Sequence, residues 1–285
     1  MIGIFDSGAG GLSVWKEMIK ILPSECYFYI SDSAFCPYGP KSKKTIVGRT
    51  SKISRFLIES GAEIIVVACN TATAGAISEL RQLFDIPFIG MEPAVKPAAI
   101  ETKSGVIGVL ATKGTFNGRL YINTSEKFAR KKDIKIIERV GDGLVELVEE
   151  GRTQTPEAEQ LVKKYIDPMI EAGADCVVLG CTHYPFLTDA IDKVSANKIN
   201  VINPAPAVAK HAKFLLEKER RKNNGGKYIC RDRKQEKNII ATTGSNLDIL
   251  KGMALKIIDD ARKSGELTEK ESETLQKSQF VHLDI

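Results

Sequence analysis

Short runs of apolar residues alternate with longer amphipathic stretches along most of the chain. The apolar runs are rich in β-branched residues and show no period of two, which is typical of strands buried on both faces of a parallel sheet. Alternation of such strands with helical stretches favours right-handed βαβ units over a sandwich or a helix bundle. The predicted strands are MIGIFD (1–6), CYFYIS (26–31), EIIVVAC (63–69), PFIGM (87–91), GVIGVLA (105–111), IKIIERV (134–140), DCVVLGC (175–181), INVIN (199–203) and KNIIATTG (237–244).

The strand series repeats itself in the second part of the chain. The segment IGIF (2–5) is echoed by IGVL (107–110). A longer match joins IESGAEIIVVACNT (58–71) to IEAGADCVVLGCTH (170–183), which share six identical residues at one constant offset. This internal repeat predicts two similar α/β lobes, each with its own sheet.

The limits of the two lobes follow from breaks in the pattern. Two prolines interrupt the helical pattern between residues 90 and 105. The strand at 237–244 needs a sheet to join, so we expect the C-terminal part to pack on the first lobe, while 264–285 carries little signal beyond a short apolar end. The prediction is an α/β fold of two pseudo-symmetric parallel-sheet lobes with the active site between them. The first lobe comprises residues 1–95 and 207–285, and the second comprises residues 96–206.

Composition limits the classes of partner. The 285 residues suit two lobes, and the fractions of 43% hydrophobic and 27% charged residues are ordinary for a globular protein. The net charge is only +5, and the basic clusters at 41–44, 129–132 and 217–237 are mixed with or flanked by polar residues, which indicates solvated loops and helix ends rather than a nucleic-acid site. No apolar run reaches the ~20 residues of a membrane span, and the N-terminus begins directly in a strand without a signal segment. We therefore expect a cytoplasmic protein with neither nucleic-acid nor membrane partners.

The chain has six cysteines and three histidines, with no Cys-x-x-Cys spacing. Cytoplasmic thiols stay reduced, so the cysteines are not interpreted as a disulfide framework, and no metal site is predicted. A lone cysteine is usually a small buried apolar residue. Cys26, Cys36, Cys176 and Cys230 are interpreted in this way.

Polar residues follow four of the predicted strands, where ligands of doubly wound sheets bind. In the first of these segments Asp6 and Ser7 precede glycines that expose backbone NH groups ahead of a helix, which suits a carboxylate or a phosphate. The segment lacks the Gly-Lys-Ser/Thr of a Walker loop and the third glycine of a dinucleotide fingerprint. The four segments are FDSGAGG (5–11), DSAFCPYG (32–39), ACNTAT (68–73) and GCTHYP (180–185).

Cys69 and Cys181 differ from the other cysteines because the repeat places them at equivalent strand ends. A cysteine ahead of a helix N-terminus has its thiolate stabilised by the helix dipole. If the lobes face each other, one thiolate can remove a proton from a carbon while the other thiol returns one to the opposite face, which inverts a stereocentre. Two alternatives stay open: an architectural echo without function, and a thiol switch in a binding protein.

The motifs FDSGAGGLSV, PYG, ACNTAT and GCTHYP, in this order and at these separations, resemble those of the glutamate racemases of bacterial cell-wall synthesis. The resemblance covers roughly residues 1–265. It implies an enzyme that needs no cofactor and no metal and that interconverts L- and D-glutamate, the D isomer being a peptidoglycan building block. It also implies glutamate as the small-molecule partner. Family members are often dimeric, so a homodimer is the candidate assembly.

The resemblance assigns roles residue by residue. Cys69 and Cys181 match the two catalytic acid/base cysteines of the family. Asp6 and His183 match the groups that assist the neighbouring thiols. The residues that match substrate contacts are Asp6, Ser7, Tyr38, Gly39, Asn70, Thr71, Thr182 and His183.

Two parts of this assignment stay open. The segment VGDGLVELVEEG (140–151) departs from the family pattern, so Glu149 is either a site acid or a solvated helix acid. Thr112 and Thr115 are weaker candidates for substrate contact. The alternative substrate is aspartate or another amino acid, although related aspartate enzymes generally carry an acidic or other polar residue where this chain has His183. A pyridoxal phosphate enzyme is disfavoured, because no lysine stands at a strand end beside a phosphate cradle.

Overall fold

The computed structural model describes residues 1–222 and 238–285, so Cys230 and most of the charged segment 217–237 lie outside the described residues. Within the described residues, ten strands form two separate sheets. The strands are β1 Ile2–Asp6, β2 Tyr27–Ser31, β3 Ile64–Val67, β4 Phe88–Gly90, β5 Val106–Ala111, β6 Lys135–Val140, β7 Cys176–Gly180, β8 Asn200–Ile202, β9 Ile239–Thr242 and β10 Gln279–His282.

Both sheets are parallel, and they share one strand order. The first sheet runs β10-β9-β2-β1-β3-β4, and the second runs β6-β5-β7-β8. The order β2-β1-β3-β4 in the first sheet is therefore matched by β6-β5-β7-β8 in the second. The strands β3 and β7, which precede Cys69 and Cys181, hold the same position in their sheets. The predicted α/β fold with two pseudo-symmetric parallel sheets is confirmed.

Helices cover both faces of each sheet, as parallel sheets require. Among the residues that the structure describes, no helix has both the length and the apolar character to cross a bilayer. The helices are α1 Leu12–Ile21, α2 Lys43–Glu59, α3 Asn70–Leu83, α4 Val95–Glu101, α5 Lys113–Phe116, α6 Arg119–Lys132, α7 Leu144–Glu149, α8 Pro156–Glu171, α9 Thr188–Ser195, α10 Ala205–Lys222, α11 Leu247–Lys263 and α12 Glu269–Gln276.

Each sheet lies between two apolar clusters. In the first sheet, Trp15 and Ile4 belong to the cluster on one face, and Phe5 belongs to the cluster on the other. The second sheet has Leu179 on one face and Val178 on the other. Burial on both faces explains why the strands read as continuous apolar runs without alternation.

The internal repeat has a local cause at the helix ends. Gly61 follows α2 and Gly173 follows α8, with φ of +95° and +89°. The amide nitrogens of these glycines donate to the carbonyl oxygens of Ile58 and Ile170, both at 2.9 Å. Glycine adopts positive φ without the steric cost that a Cβ brings, so it ends the helix and turns the chain into the next strand. The shared Ile-Glu-x-Gly-Ala is therefore the same helix stop used twice.

The C-terminal part joins the first sheet, as expected from its strand pattern. The strand β9 pairs with β2, and β10 pairs with β9. Both α12 and β10 lie in 264–285, where the sequence pattern predicts no element. Thr268 and Glu271 start α12 with a reciprocal capping box. The strand β10 is four residues long and only partly buried at the sheet edge, so only the short apolar end of the chain marks it in the sequence.

The predicted limits of the lobes fall close to the two connections between the sheets. The helix α4 packs with the cluster of the second sheet through Val95 and Ala98. The helix α10 packs with the cluster of the first sheet through Ala205 and Val208. Limits at residues 95 and 206 would each cut one of these helices just inside its start, and they stay a prediction.

Candidate active site

Cys69 lies between the end of β3 and the start of α3, as predicted. It is the N-cap of α3, and its sulfur accepts a hydrogen bond from the amide of Ala72 at 3.4 Å. Asn70 and Thr71 are the first two residues of the helix. The ACNTAT segment therefore presents a thiol, an amide and a hydroxyl at one helix N-terminus.

Cys181 follows β7 but does not cap a helix of comparable length. Thr182, His183 and a short 3-10 helix, Tyr184–Leu187, separate it from α9. The prediction that a helix dipole acts on both thiols is therefore wrong for Cys181. The group next to the Cys181 sulfur is instead the ring of His183, whose Nδ1 lies 3.6 Å from it.

Asp6 and Ser7 connect the two cysteine segments across the lobes. The hydroxyl of Ser7 lies 3.7 Å from the Cys69 sulfur. The carboxylate of Asp6 accepts a hydrogen bond from the Thr182 hydroxyl at 3.2 Å. Cys69 and Cys181 are only 5% and 7% exposed, so the two lobes are closed over them.

Burial controls the ionisation of the first thiol. Burial, and then the charge of Asp6, raise the pKa of Cys69 well above its usual value, against the hydrogen bonds from the Ala72 amide and to Ser7. Burial also raises the pKa of Asp6, although the charge of His183 opposes this. In the closed site Cys69 is therefore a neutral thiol, and the stabilisation of its thiolate expected from the helix dipole does not prevail.

Glu149 lies in the site, at the end of α7. Its Oε1 is 2.6 Å from Nε2 of His183 and also accepts a hydrogen bond from the amide of Ala9 at 2.5 Å. Its Oε2 accepts a hydrogen bond from Nδ2 of Asn246 at 2.9 Å. The side chain is 16% exposed, so the alternative of a solvated helix acid is wrong.

His183 and Glu149 form an ion pair. Burial by itself lowers the pKa of His183, but hydrogen bonds to Cys181, Cys36 and Glu149 outweigh it and raise the pKa well above the usual value. For Glu149, burial acts to raise the pKa, and the bond to His183 and the charge of that ring lower it overall. The imidazolium therefore stands between the carboxylate and the Cys181 sulfur.

The glycines of FDSGAGG make room for the second lobe. A Cβ at Gly8 would lie 2.1 Å from Oε1 of Glu149, and one at Gly10 would lie 2.3 Å from Nδ1 of His183. The amide of Gly11 donates to Asp6 at 2.6 Å, as that of Ala9 does to Glu149. The predicted cradle for a carboxylate thus binds two carboxylates of the protein itself.

The side chain of Asn70 is buried without a partner. It is 4% exposed, and neither its Oδ1 nor its Nδ2 has a hydrogen bond. A buried amide in this state costs free energy unless a ligand pairs with it. Thr71 lies beside it and contacts the second lobe through Thr112, with the two hydroxyl oxygens 2.8 Å apart. Thr115 is 3.0 Å from the Thr112 hydroxyl, so both threonines named as weaker candidates lie at this contact.

Tyr38 and Gly39 lie next to these threonines. The Tyr38 hydroxyl donates to Asp32 at 2.5 Å, and that carboxylate also accepts from Arg49, at 2.6 Å for the shorter bond. The backbone carbonyl of Tyr38 accepts a hydrogen bond from the amide of Lys41 at 3.0 Å. A Cβ on Gly39 would be 3.6 Å from Cβ of Thr112. The structure therefore brings Asp6, Thr71 and Gly39 of the first lobe against Thr182 and Thr112 of the second, while the Tyr38 side chain stays within the first lobe.

Sequence reasoning missed three side chains of this region. Arg49 lies inside α2, and nothing in the sequence pattern distinguishes it from the other basic residues of that helix. Asn246 follows β9, a strand for which the pattern predicted only a packing role. Cys36 was interpreted as structural, yet it contacts His183. Ligand atoms of Cys36, Glu149 and His183 lie within 4.8 Å of one another, which is a distance at which they could hold a metal ion.

Comparisons with known proteins show the family to which the chain belongs. The family model described as Asp/Glu/hydantoin racemase matches residues 2–212. The glutamate racemase of Stutzerimonas stutzeri is 44% identical over 216 residues, which is 75% of this chain and 81% of that protein. The glutamate racemase of Deinococcus radiodurans is 41% identical over 242 residues, covering 85% of this chain and 81% of the relative.

Solved structures give the same assignment. Glutamate racemase isoform RacE1 of Bacillus anthracis superposes with a TM-score of 0.76 at 30% identity, covering 100% of this chain and 97% of that chain. The Escherichia coli glutamate racemase, solved with L-glutamate and the activator UDP-MurNAc-Ala, gives 0.78 at 31% identity, with 90% and 94% covered. The chain therefore belongs to the Asp/Glu/hydantoin racemase family, within its group of glutamate racemases.

Proposed function

We propose that this enzyme interconverts L- and D-glutamate without a cofactor, using the thiols of Cys69 and Cys181 as the two proton-transfer groups. The observation that carries the proposal is the equivalence of the two cysteines. Cys69 follows β3 and Cys181 follows β7, and these two strands hold the same position in their sheets. Structural neighbours hold L-glutamate in Escherichia coli and D-glutamate in Francisella tularensis, which supports the substrate. The product would supply D-glutamate for peptidoglycan in the cytoplasm.

The reaction is a proton exchange at one carbon. One cysteine, as thiolate, takes the proton from Cα, and the electron pair of the C–H bond moves towards the α-carboxylate. The other cysteine gives its thiol proton to the opposite face of Cα and becomes the thiolate. The groups exchange roles for the reverse direction, so either direction needs both thiols.

The substrate must be held while negative charge develops next to its carboxylate. Donors that are already in place stabilise such charge without reorganising. The Ser7 hydroxyl lies 3.7 Å from the Cys69 sulfur, the unpaired amide of Asn70 and the hydroxyl of Thr71 follow Cys69 in the chain, and Thr182 follows Cys181. These groups fit this role. The enzyme binds its substrate in a closed, low-dielectric space, where these hydrogen bonds gain strength.

Asp6 and His183 stand beside the two thiols and are suited to assist them. Asp6 interacts with the Cys69 thiol, and burial raises the pKa of its carboxyl. It can therefore accept a proton from the sulfur and return it. Nδ1 of His183 lies 3.6 Å from the Cys181 sulfur, so the ring is placed to exchange a proton with that thiol. The two thiols thus have different neighbours, a carboxyl group beside Cys69 and an imidazole beside Cys181, although they occupy equivalent positions.

Replacing either cysteine tests the two-base mechanism. Cys69→Ala and Cys181→Ala should each reduce racemisation of both isomers by at least roughly 100-fold, which is the usual effect of losing a general acid or base. Circular dichroism of glutamate follows the reaction in each direction. Cys26→Ala, at a half-buried cysteine outside the site, serves as the control and should keep its activity. Activity retained by either site variant would contradict the mechanism.

Isotope exchange and a second amino acid test the chemistry and the substrate. In deuterated water, Cα–H of glutamate should exchange as the isomers interconvert, and retention of the proton would rule out solvent-exchanging thiols. Turnover of D-glutamate should far exceed that of D-aspartate, and the reverse order would establish an aspartate racemase. The homodimer stays a prediction, which light scattering on the purified enzyme can test.

A further inference from the structure

Three metal-ligating side chains from both lobes meet beside the active site. Cys36 follows the short 3-10 helix Ser33–Phe35, Glu149 ends α7, and His183 follows β7. One ligand atom of each lies within 4.8 Å of the other two. The proton transfers described above do not require a thiol at position 36.

We propose that Cys36, Glu149 and His183 bind a thiophilic divalent cation, best matched by Zn²⁺, and that this ion inhibits the racemase. Thiolate, imidazole and carboxylate are the three ligand types of zinc in proteins, and a thiolate disfavours Mg²⁺ and Ca²⁺. Zinc–ligand bonds of roughly 2.0–2.3 Å place tetrahedral ligands about 3.3–3.8 Å apart. Side-chain movements of about 1 Å would therefore complete the site.

The carboxylate ligand is already held in position. The Nδ2 of Asn246 donates to Oε2 of Glu149 at 2.9 Å, and Oδ1 of Asn246 accepts from the Thr242 hydroxyl at 2.8 Å. Hydrogen bonds from such outer residues orient metal ligands and raise affinity. The other oxygen of Glu149 faces His183.

A cavity gives the ion access from outside the closed cleft. It has a volume of about 230 Å³ and adjoins Cys36 and Glu149 directly. Its lining also includes Ser33, Ser245 and Asn246. The cavity has room for a water molecule, which these polar groups can hydrogen-bond. Such a water would be the fourth zinc ligand, as in open zinc sites with three protein ligands.

Binding of the ion would remove His183 from the reaction. The cation replaces the Cys36 thiol proton and a ring proton of His183, and both protons pass to solvent. The metal bond then occupies a ring nitrogen that otherwise serves the network around Cys181. Because Cys36 belongs to the first lobe and the other two ligands to the second, the ion would also tie the lobes together in the closed state.

The binding can be tested without the racemase reaction. Co²⁺ is the probe, added to the Cys69→Ala/Cys181→Ala double variant so that the catalytic thiols do not contribute. We expect one bound Co²⁺ per chain with a thiolate-to-metal charge-transfer band, displaced by Zn²⁺. Adding Cys36→Ser should abolish the band, whereas adding Cys26→Ser should leave it. A band that survives Cys36→Ser, or no band in the double variant, would overturn the site.

The inhibition rests on the proposed function and needs a separate measurement. Zn²⁺, at free concentrations fixed by a metal buffer, should inhibit glutamate racemisation reversibly, with recovery on adding EDTA and no effect of Mg²⁺. With each rate normalised to that variant without metal, Cys36→Ser should require at least roughly 10-fold more Zn²⁺, since even outer-shell partners alter affinity by 10–100-fold. Equal inhibition of wild type and Cys36→Ser would contradict the proposal. If the enzyme were inactive on glutamate, the proposed function and the inhibition would be wrong, whereas the Co²⁺ measurement would still decide whether the metal site exists.

Discussion

At the scale of single residues, the side-chain amide of Asn70 is buried without a hydrogen-bond partner, which costs stability. We expect Asn70→Ala to leave the free energy of unfolding within about 1 kcal/mol of wild type, because no hydrogen bond is lost and a buried unpaired amide is removed. The same change should lower kcat/KM for glutamate by roughly 10–100-fold, the value of a hydrogen bond to a charged group. Denaturant unfolding and the racemase assay measure the two effects.

A neighbour on the same helix provides the control for that variant. Thr73 is as buried as Asn70, but its hydroxyl accepts from the amide of Met91 at 2.9 Å and donates to Val67 at 3.3 Å. Thr73→Ala should therefore lower the free energy of unfolding by about 1–2 kcal/mol with little change in kcat/KM. Loss of stability in Asn70→Ala together with loss of activity in Thr73→Ala would contradict a ligand-binding role for Asn70 and a structural role for Thr73.

The close approach of His183 to the first glycine loop gives a second prediction. Gly10→Ala places a methyl group 2.3 Å from Nδ1 of His183, so the ring must shift from its place beside Cys181 and racemisation should fall by at least roughly 10-fold. Gly48→Ala is the matched control, because it lies inside α2 with open space around its Cα. It should raise the free energy of unfolding by about 0.5–1 kcal/mol and leave the rate unchanged. Equal rates in both variants would contradict the proposed role of the ring.

At this scale the sequence predicted the residues that end strands and missed those that arrive from elsewhere. Cys69 and Cys181 follow apolar runs, so their positions could be derived from local pattern alone. The contacts of Glu149 and Cys36 with His183 depend on how the two lobes meet. No spacing rule signals a cluster drawn from three distant segments, so the meeting of Cys36, Glu149 and His183 could not be derived from the sequence.

At the scale of elements, strands and helix stops were the predictable part. Buried parallel strands give continuous apolar runs, and nearly every predicted strand contains the observed one with a residue or two to spare at the ends. The same reasoning fails for β10, which lies at a sheet edge and is only partly buried. It also fails for the stretch after Cys181, because the turn Thr182–His183 and the 3-10 helix are set by the contacts of His183 rather than by periodicity.

Asp175, just before β7, binds the turn that precedes β5, and its contribution to stability depends on pH. Partial burial of Asp175 acts to raise its pKa, but hydrogen bonds from the Thr102 hydroxyl and from the amides of Ser104 and Lys103 outweigh this and lower the pKa to about 2. A lowered pKa stabilises the folded state above the unfolded value of about 3.9, and this stabilisation is lost as pH falls towards 2.

Asp175→Asn should therefore destabilise the protein by about 1–2 kcal/mol at pH 7, after allowing for solvent screening of a partly exposed group. The difference from wild type should shrink between pH 4 and pH 2, since the native carboxylate is then protonated. Urea unfolding across this range measures it. Asp284→Asn, at an exposed position, should show no such trend. A constant difference at all pH values would point to lost packing rather than lost charge.

At the scale of the whole molecule, closure of the lobes controls access to the site. Cys69 and Cys181 are almost completely buried, so we expect substrate to reach them when the lobes separate. We expect iodoacetamide to label both cysteines slowly in the native enzyme, and glutamate to slow the labelling further by favouring the closed state. Peptide mapping by mass spectrometry reports each cysteine separately.

Cys176 is the internal control for this experiment. It is 2% exposed in β7, away from the junction of the lobes, so its labelling should not respond to glutamate. Labelling of Cys69 and Cys181 that is fast, or that is insensitive to glutamate, would show that the site is open in solution.

The internal repeat predicted two lobes of similar fold. The motifs predicted which residues face each other between the two lobes. The repeat could not predict how closely the lobes approach. That depends on contacts such as those of Ser13 with the carbonyl of Thr182 at 2.9 Å and of Ala9 with Glu149, which join residues far apart in the chain.

The pairing of β9 with β2 has a consequence for the order in which the protein is made. A ribosome completes the second sheet, β5 to β8, as one contiguous stretch, whereas β2 waits for a partner that is synthesised about 200 residues later. Until then the nascent chain carries an apolar strand with an unpaired edge, which is the feature through which chains aggregate. Messenger RNA truncated before codon 239 would therefore yield an intact second lobe attached to an aggregation-prone first one.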